Sequence, residues 1–339
     1  MARLQSNSSI TLADVADRAK VSVMTASRAL RQSPAVAAQT SRRVHAAARF
    51  LGYMPNLLAR ALVQNHNPTI GVVVHDLSYP FFVPVLGALQ EAAAQAGFLV
   101  VVSETKRALA TEVQIMRRLR DFRVAGIAVH PATQSFAHLD EIRRGGLPLV
   151  AFAREWRGGD CIAVDNVGGA AEVARHLLRC GFRDVGLVTS SDPDNRPVLD
   201  REQSFLAALA EAGVSIPAPW RVVSAGTSFE EGRRAADVLL DQPARPRAVF
   251  CVNDRLSLGF INRSRQLGYA IPSDIAVIGF DDLAFADYTE VPLTTMAVPT
   301  RRIGEDVAQL LFARIAGNGP RKAAQRLVRP ELIIRNSCS

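Results

Sequence analysis

Seven short, almost wholly apolar runs recur between residues 70 and 279, at 70–74, 99–102, 126–129, 147–152, 185–188, 248–252 and 275–279. None reaches the roughly 20 apolar residues that a membrane-spanning helix needs. Nor do they alternate as a strand with one wet face would; uniform runs of this length belong to strands buried on both sides. Helical stretches such as 84–96, 167–180 and 201–212 lie between them. Strands alternating with helices predict doubly wound parallel sheets in an α/β domain. The roughly 270 residues beyond Pro68 exceed what one core usually holds, so two lobes with a cleft between them are expected.

The first fifth of the chain has a different character. Leu12, Val15, Ala16 and Ala19 follow the i, i+3, i+4, i+7 spacing of a helix with one buried face. Lys20-Val21-Ser22 interrupts it, and Ser22 is suited to cap a second helix by accepting a bond from the Thr25 amide. Ala26, Ala29 and Leu30 supply the inner side of that helix. Its outer face carries Val23, Met24, Ser27, Arg28 and Arg31, with no carboxylate among them. Arg reaches guanine acceptors or phosphate and small apolar groups touch thymine methyls, so this face suits the major groove. A third helix has Val44, Ala47, Ala48 and Leu51 inside and Arg42, Arg43 and Arg49 outside. Residues 1–64 hold nine Lys or Arg and two Asp, giving +7 of the chain's net +8. Phosphate binding with counterion release requires such a concentration of charge. The competing reading is a solvated basic tail, against which the lack of Glu speaks.

Two segments carry a family resemblance. The head reads Thr11-Leu12-x-Asp14-Val15-Ala16, Val21-Ser22, Thr25, Ser27-Arg28 and Leu30; the next segment reads Leu51-Gly52-Tyr53-x-Pro55-Asn56-x-x-Ala59-Arg60-x-Leu62. Both resemble the LacI/GalR family of bacterial transcription regulators, and the likeness runs over nearly the whole chain. It implies a helix-turn-helix DNA-binding head at 1–52, a hinge helix and linker at 53–68, and a two-lobed periplasmic-binding-protein-like domain at 69–339 for effector binding and dimerisation. Carried over, it sets Val23, Met24 and Arg28 on base edges, Ser22 and Thr25 on phosphates, and Ser27 in the same DNA-binding set. It adds Asn56, Ala59, Arg60 and Leu62 of the hinge, which would fold on DNA. Leu62 would wedge into a minor-groove step, at an unstacking cost of a few kcal/mol offset by contact with the bent duplex. An ordinary core leucine is the alternative, though the polar run 64–68 after it argues for a linker. The chain departs from the family at Ala37, where a capping Ser is usual, and at Ser41, where Arg is usual. Thr40 is a possible cap for a shorter third helix.

For the lobes the resemblance implies a cleft that holds a small effector. Strand ends nominate its lining, since open parallel sheets bind ligands there: Phe81 and Phe82 in Tyr79-Pro-Phe-Phe82, then Arg154, Arg201, Asn253 and Asp281. Arg201 is expected to open a helix. Arg201 and Asp281 serve either as effector contacts or as an ion pair in the cleft wall. Arginine and amide donors beside a carboxylate suit a sugar, sugar acid or sugar phosphate. Met24-Thr25 is similar to the gluconate-type members, which says little about the cleft. Residues 1–10 lack an apolar signal segment, so a cytoplasmic regulator is expected. The four Cys, at 161, 180, 251 and 338, show no CxxC spacing and read as reduced, mostly structural thiols; no cofactor or metal site is expected. GxGxxG, GxxxxGK[ST] and GxSxG are all absent, which argues against an enzyme. The expected function is a repressor that binds a palindromic double-stranded DNA operator under effector control. A cytoplasmic solute-binding protein with a non-functional head is the alternative. A homodimer is expected, meeting through the first lobe's helix at 84–96, with no apolar heptad run to build a tetramer.

Overall fold

A computed structural model describes residues 10–30, 33–53 and 67–339. The chain divides into two compact units, Met1–Asn67 and Pro68–Ser339.

Three helices form the first unit: α1 (Leu12–Ala19), α2 (Val23–Leu30) and α3 (Ala38–Leu51). Thr11 opens α1 with a reciprocal cap. Its Oγ1 accepts from the Asp14 amide at 3.3 Å, while Asp14 Oδ2 accepts from the Thr11 amide at 2.7 Å, so two amides that the helix leaves unpaired are satisfied. Ser22 caps α2 as expected, accepting from Thr25 N at 3.2 Å. No side chain caps α3, which starts behind Ala37 at Ala38. The shorter helix capped by Thr40 is therefore not formed. Gly52, at φ 66°, closes α3 in the left-handed conformation that glycine adopts without strain. Val15, Ala16, Ala19, Ala26, Ala29, Val44, Ala47 and Ala48 make the core; so many alanines let three short helices approach closely. Arg18 lies 3.4 Å over the Phe50 ring, a cation–π contact that covers an exposed apolar side chain.

The second unit holds two six-stranded sheets. The first comprises β1 (Asn67–Val74), β2 (Leu99–Glu104), β3 (Val124–Val129), β4 (Leu149–Phe152), β5 (Asp160–Val164) and β11 (Gln325–Val328), in the order β11-β5-β4-β3-β1-β2. The second comprises β6 (Val185–Ser190), β7 (Arg221–Ser224), β8 (Ala248–Cys251), β9 (Ala276–Asp281), β10 (Thr294–Ala297) and β12 (Glu331–Ile333), in the order β12-β10-β9-β8-β6-β7. Its strands pair in parallel except β12, which runs antiparallel to β10. Helices α4 (Phe82–Gln95), α5 (Leu109–Asp121), α6 (Ala137–Arg144) and α11 (Thr300–Ile315) pack on the first sheet. The second is covered by α7 (Asn166–Arg179), α8 (Arg196–Glu211), α9 (Phe229–Leu240) and α10 (Asp254–Gln266).

The chain passes between lobes three times: from β5 into α7, from β10 into α11, and from β11 to β12. All seven apolar runs are strands. Arg201 does not open its helix: α8 begins at Arg196 with Pro197 in its first turn, which places Arg201 a turn further in. In each sheet the strand order reverses once, between β1 and β3 and between β6 and β8. Crevices for ligands form at such reversals, beyond the carboxyl ends of the strands.

Candidate functional site

On the first unit, α2 presents Val23 and Met24 at 49% and 62% exposure, with Arg28 exposed beside them. Ser22 and Thr25 share a hydroxyl–hydroxyl bond of 2.9 Å at the start of the helix. Ser27 is half-buried. The hinge residues Asn56, Ala59, Arg60 and Leu62 lie outside the described residues.

At the strand-order reversals of the second unit, side chains from both lobes converge. Asp281 ends β9 and is buried; its Oδ1 stands 3.1 Å from Arg201 Nη2. Burial pushes the Asp281 carboxyl up, and Arg201 opposes that shift. Arg201 is fixed on every side. Its Nε donates to Asn166 Oδ1 at 2.8 Å, its Nη1 to the Val252 carbonyl at 2.8 Å, and its guanidinium lies 3.6 Å over the Phe280 ring. Asp281 Oδ2 accepts from the Tyr79 hydroxyl, which reaches across from the first lobe, while Oδ1 accepts no hydrogen bond. Asp281 has φ 123° and Ala153, on the same cavity, φ 56°. Such backbone costs on the order of 1–3 kcal/mol per residue and persists where the surroundings enforce it.

Tyr79 stacks on Phe81, with centroids 5.7 Å apart, and lies beneath Arg255, whose guanidinium is 4.4 Å from the ring. Arg255 in turn donates to the Thr227 carbonyl at 3.1 Å and meets Asp76 at 3.4 Å. Asn253 caps α10, its Oδ1 accepting from Leu256 N at 3.0 Å, and its Nδ2 donates to the Thr227 carbonyl at 3.3 Å.

Below them, His75 follows β1 and His130 follows β3, their Nδ1 atoms 3.2 Å apart. Arg107 Nη2 is 2.8 Å from His75 Nε2. A guanidinium only donates, so His75 Nε2 accepts; its proton is then on Nδ1 and donates to His130 Nδ1, which leaves the His130 proton on Nε2. Burial, with Arg107 and Arg154 close to both rings, holds the two well below the usual histidine range, and they are neutral at pH 7.

Phe81, Phe82, Arg201, Asn253 and Asp281 thus line one cavity with His75, Tyr79, Arg107 and His130. Arg154 does not. Its guanidinium turns to the carbonyls of Pro131, Thr133 and Asp194, and it lines an adjoining groove of about 560 Å³ with Phe136, Trp156 and Asp200. The direction of a long side chain is not encoded in its distance from a strand end. His75, His130 and Arg107 are absent from the sequence-derived set, although both histidines directly follow apolar runs and so carried the same strand-end signal as Asn253.

The room left in the cavity is about 50 Å³, against roughly 300–1,000 Å³ for typical ligand pockets. Contacts between lobes hold it shut. Besides Tyr79 with Asp281 and Asp76 with Arg255, Arg107 meets Asp192 at 3.6 Å and Gln134 Nε2 donates to the Pro193 carbonyl at 2.7 Å.

Residues 11–56 match the model of bacterial regulatory proteins of the lacI family, and residues 174–338 match the periplasmic binding protein-like domain. The chain is 31% identical to the HTH-type transcriptional repressor CytR of Escherichia coli K12 over 332 residues, 96% of each chain. The chain belongs to the LacI family. The HTH-type transcriptional regulator DegA of Bacillus subtilis is 30% identical over 97% of this chain and 98% of its own. The fold is that of the Lac repressor dimer bound to operator and the anti-inducer ONPF, with a TM-score of 0.87 at 23% identity over 97% of this chain and 99% of that one. The complex of the transcriptional regulator CelR with cellobiose aligns at 0.72 and 25% identity, over 97% and 99% of the two chains. Among the described residues no helix is long and apolar enough to cross a membrane.

Proposed function

We propose that this LacI-family protein is a transcriptional repressor whose α2 reads a palindromic operator through Val23, Met24 and Arg28, and whose cavity at Asp281 takes a sugar, sugar acid or sugar phosphate. The capped helix pair with an exposed, carboxylate-free face carries the DNA reading. Of the Ser22 and Thr25 hydroxyls one donates to the other, which leaves one O–H to donate to a phosphate oxygen. Phe81, Phe82 and the fixed Arg201–Asp281 pair support the effector reading, as does the likeness to regulators solved with cellobiose and with ribose. Binding rather than catalysis, and a cytoplasmic location, accord with relatives that are transcriptional regulators.

A ligand entering the cavity competes with Tyr79 for Asp281. Accommodating it requires the lobes to part and close again around it, and the difference in affinity between the two arrangements sets how far operator binding shifts. A homodimer presents two heads to the two half-sites; the exposed Val83 of α4 and the edge strand β2, with Leu99, Val101 and Val102 exposed, form the contact surface of this reading. Selection of bound fragments from random DNA by the purified protein tests the head. An enriched palindrome is the expected outcome; no enrichment, with and without sugars and sugar acids, overturns the repressor reading in favour of solute binding alone.

A further inference from the structure

Two cysteines far apart in sequence flank one imidazole. Cys180, at the carboxyl end of α7, is exposed, and its Sγ lies 3.6 Å from His176 Nε2. Cys338 is buried, and its Sγ lies 3.9 Å from the same nitrogen. The carboxyl-terminal segment that carries Cys338 is firmly held. Ser337 Oγ donates to the Val277 carbonyl at 2.6 Å, and Thr294 Oγ1 donates to the Cys338 carbonyl at 2.8 Å. The thiols therefore share a fixed site.

We propose that Cys180 and Cys338 are a peroxide-oxidisable dithiol pair, with His176 as proton acceptor, that closes to an intramolecular disulfide. The exposed thiol is the attacking one, because thiolate character and access govern oxidation. His176 Nε2 takes the Cys180 proton, and the sulfur attacks one peroxide oxygen. The O–O bond breaks, the leaving hydroxide takes that proton and departs as water, and Cys180 becomes a sulfenic acid. Cys338 sulfur then attacks Cys180 sulfur; the S–O bond breaks, and the hydroxide leaves as a second water with the Cys338 proton. Two thiols lose two electrons and one peroxide becomes two waters. Burial of His176 lowers its pKa and favours the neutral, proton-accepting ring, while burial and the neighbouring Cys180 thiol push the Cys338 thiol up to about 12. Cys338 is thus the poor first nucleophile and the resolving partner. The bond would join α7, which follows the first passage between lobes, to the segment that follows the third.

Stoichiometric hydrogen peroxide on the reduced full-length protein, then alkylation under denaturing conditions and non-reducing peptide mapping, tests the pair. The expected result is loss of two of the four thiols, a linked Cys180–Cys338 peptide, reversal by dithiothreitol, and Cys161 and Cys251 alkylated. Cys180→Ser should leave Cys338 reduced, and His176→Phe should slow oxidation several-fold. Retention of all four thiols under excess peroxide, oxidation confined to Cys180, or a link between Cys180 residues of two chains would each overturn the proposal, and the wild-type map alone decides it.

Discussion

Asp281 shows how one carboxylate is fitted to two tasks. Oδ2 takes the Tyr79 hydroxyl and Oδ1 pairs with Arg201 at 3.1 Å; in the proposed effector reading, these oxygens are the acceptors that a ligand hydroxyl would meet. Removing the carboxylate strands a buried guanidinium, and breaking a buried pair in this way costs about 3–5 kcal/mol. Asp281→Asn keeps the shape and removes the charge; effector response should be lost while operator affinity is retained, and an Asn variant that still responds in a titration of the operator complex would return the residue to a wall-building role. Arg28→Ala should cost about 1–3 kcal/mol on the preferred operator and relax its base preference; an unchanged selection profile refutes base reading. Strand-end position made Asp281 and Asn253 legible as cleft residues from sequence. Tyr79 was legible only as part of an aromatic motif, because its role depends on a partner 202 residues away.

At the scale of elements, legibility followed apolar uniformity. Six of the seven apolar runs became inner strands, where burial on both faces demands such sequences, whereas the run at 99–102 became the edge strand β2, with Leu99, Val101 and Val102 exposed, against the expectation of burial on both sides. β5 was hidden by Asp160, an unexpected residue for an inner strand, which is tolerated because Arg314 pairs with it at 2.6 and 2.8 Å and the Ala324 amide donates to it at 2.7 Å. β11 and β12 were hidden by charge and brevity: Gln325, Arg326 and Glu331 are exposed. The uncapped start of α3 was visible in Ala37. Ala37→Ser should supply the missing acceptor and stabilise the head by about 0.5–2 kcal/mol, measured as a higher unfolding midpoint of the amino-terminal unit; no gain would mean that those amides are already satisfied. Gly169 in α7 is a packing glycine. A Cβ there would stand 2.7 Å from Pro330 Cγ and 2.9 Å from Phe280 Cζ. Gly169→Ala should therefore destabilise the second unit by about 1–3 kcal/mol, and calorimetry showing no change would disprove the close fit.

For the whole molecule, buried histidines and buried aspartates make stability depend on pH in opposite senses. His75 and His130 are neutral when folded but bind protons near pH 6.5 when unfolded, so the stability they contribute is complete above that pH and is lost as pH falls below it. Asp254, buried near Asp281, has its carboxyl raised to about 7. It holds a proton in the folded state over a range where the unfolded chain has released it, so its contribution is lost as pH rises from about 4 to 7. Each proton changes stability by at most about 1.4 kcal/mol per pH unit. Asp281, raised by burial as well, adds to the Asp254 effect, so the histidine contribution is read by difference: in His75→Phe/His130→Phe the slope of unfolding free energy against pH between 5 and 6.5 should be more negative than in the wild type, and an unchanged slope would show that the rings already carry charge. Val101→Asp on β2 should yield monomers by sedimentation with the cavity intact; an unchanged dimer would move the contact elsewhere.

The three passages between lobes also set an order in time. The head is complete once residue 53 has emerged from the ribosome, whereas the first lobe lacks β11 until residue 328. At about 5–20 residues per second, that gap is on the order of 15–55 s. During it, a nascent chain carries a finished DNA-reading head and no finished lobe, so the part that binds is born well before the part that governs it.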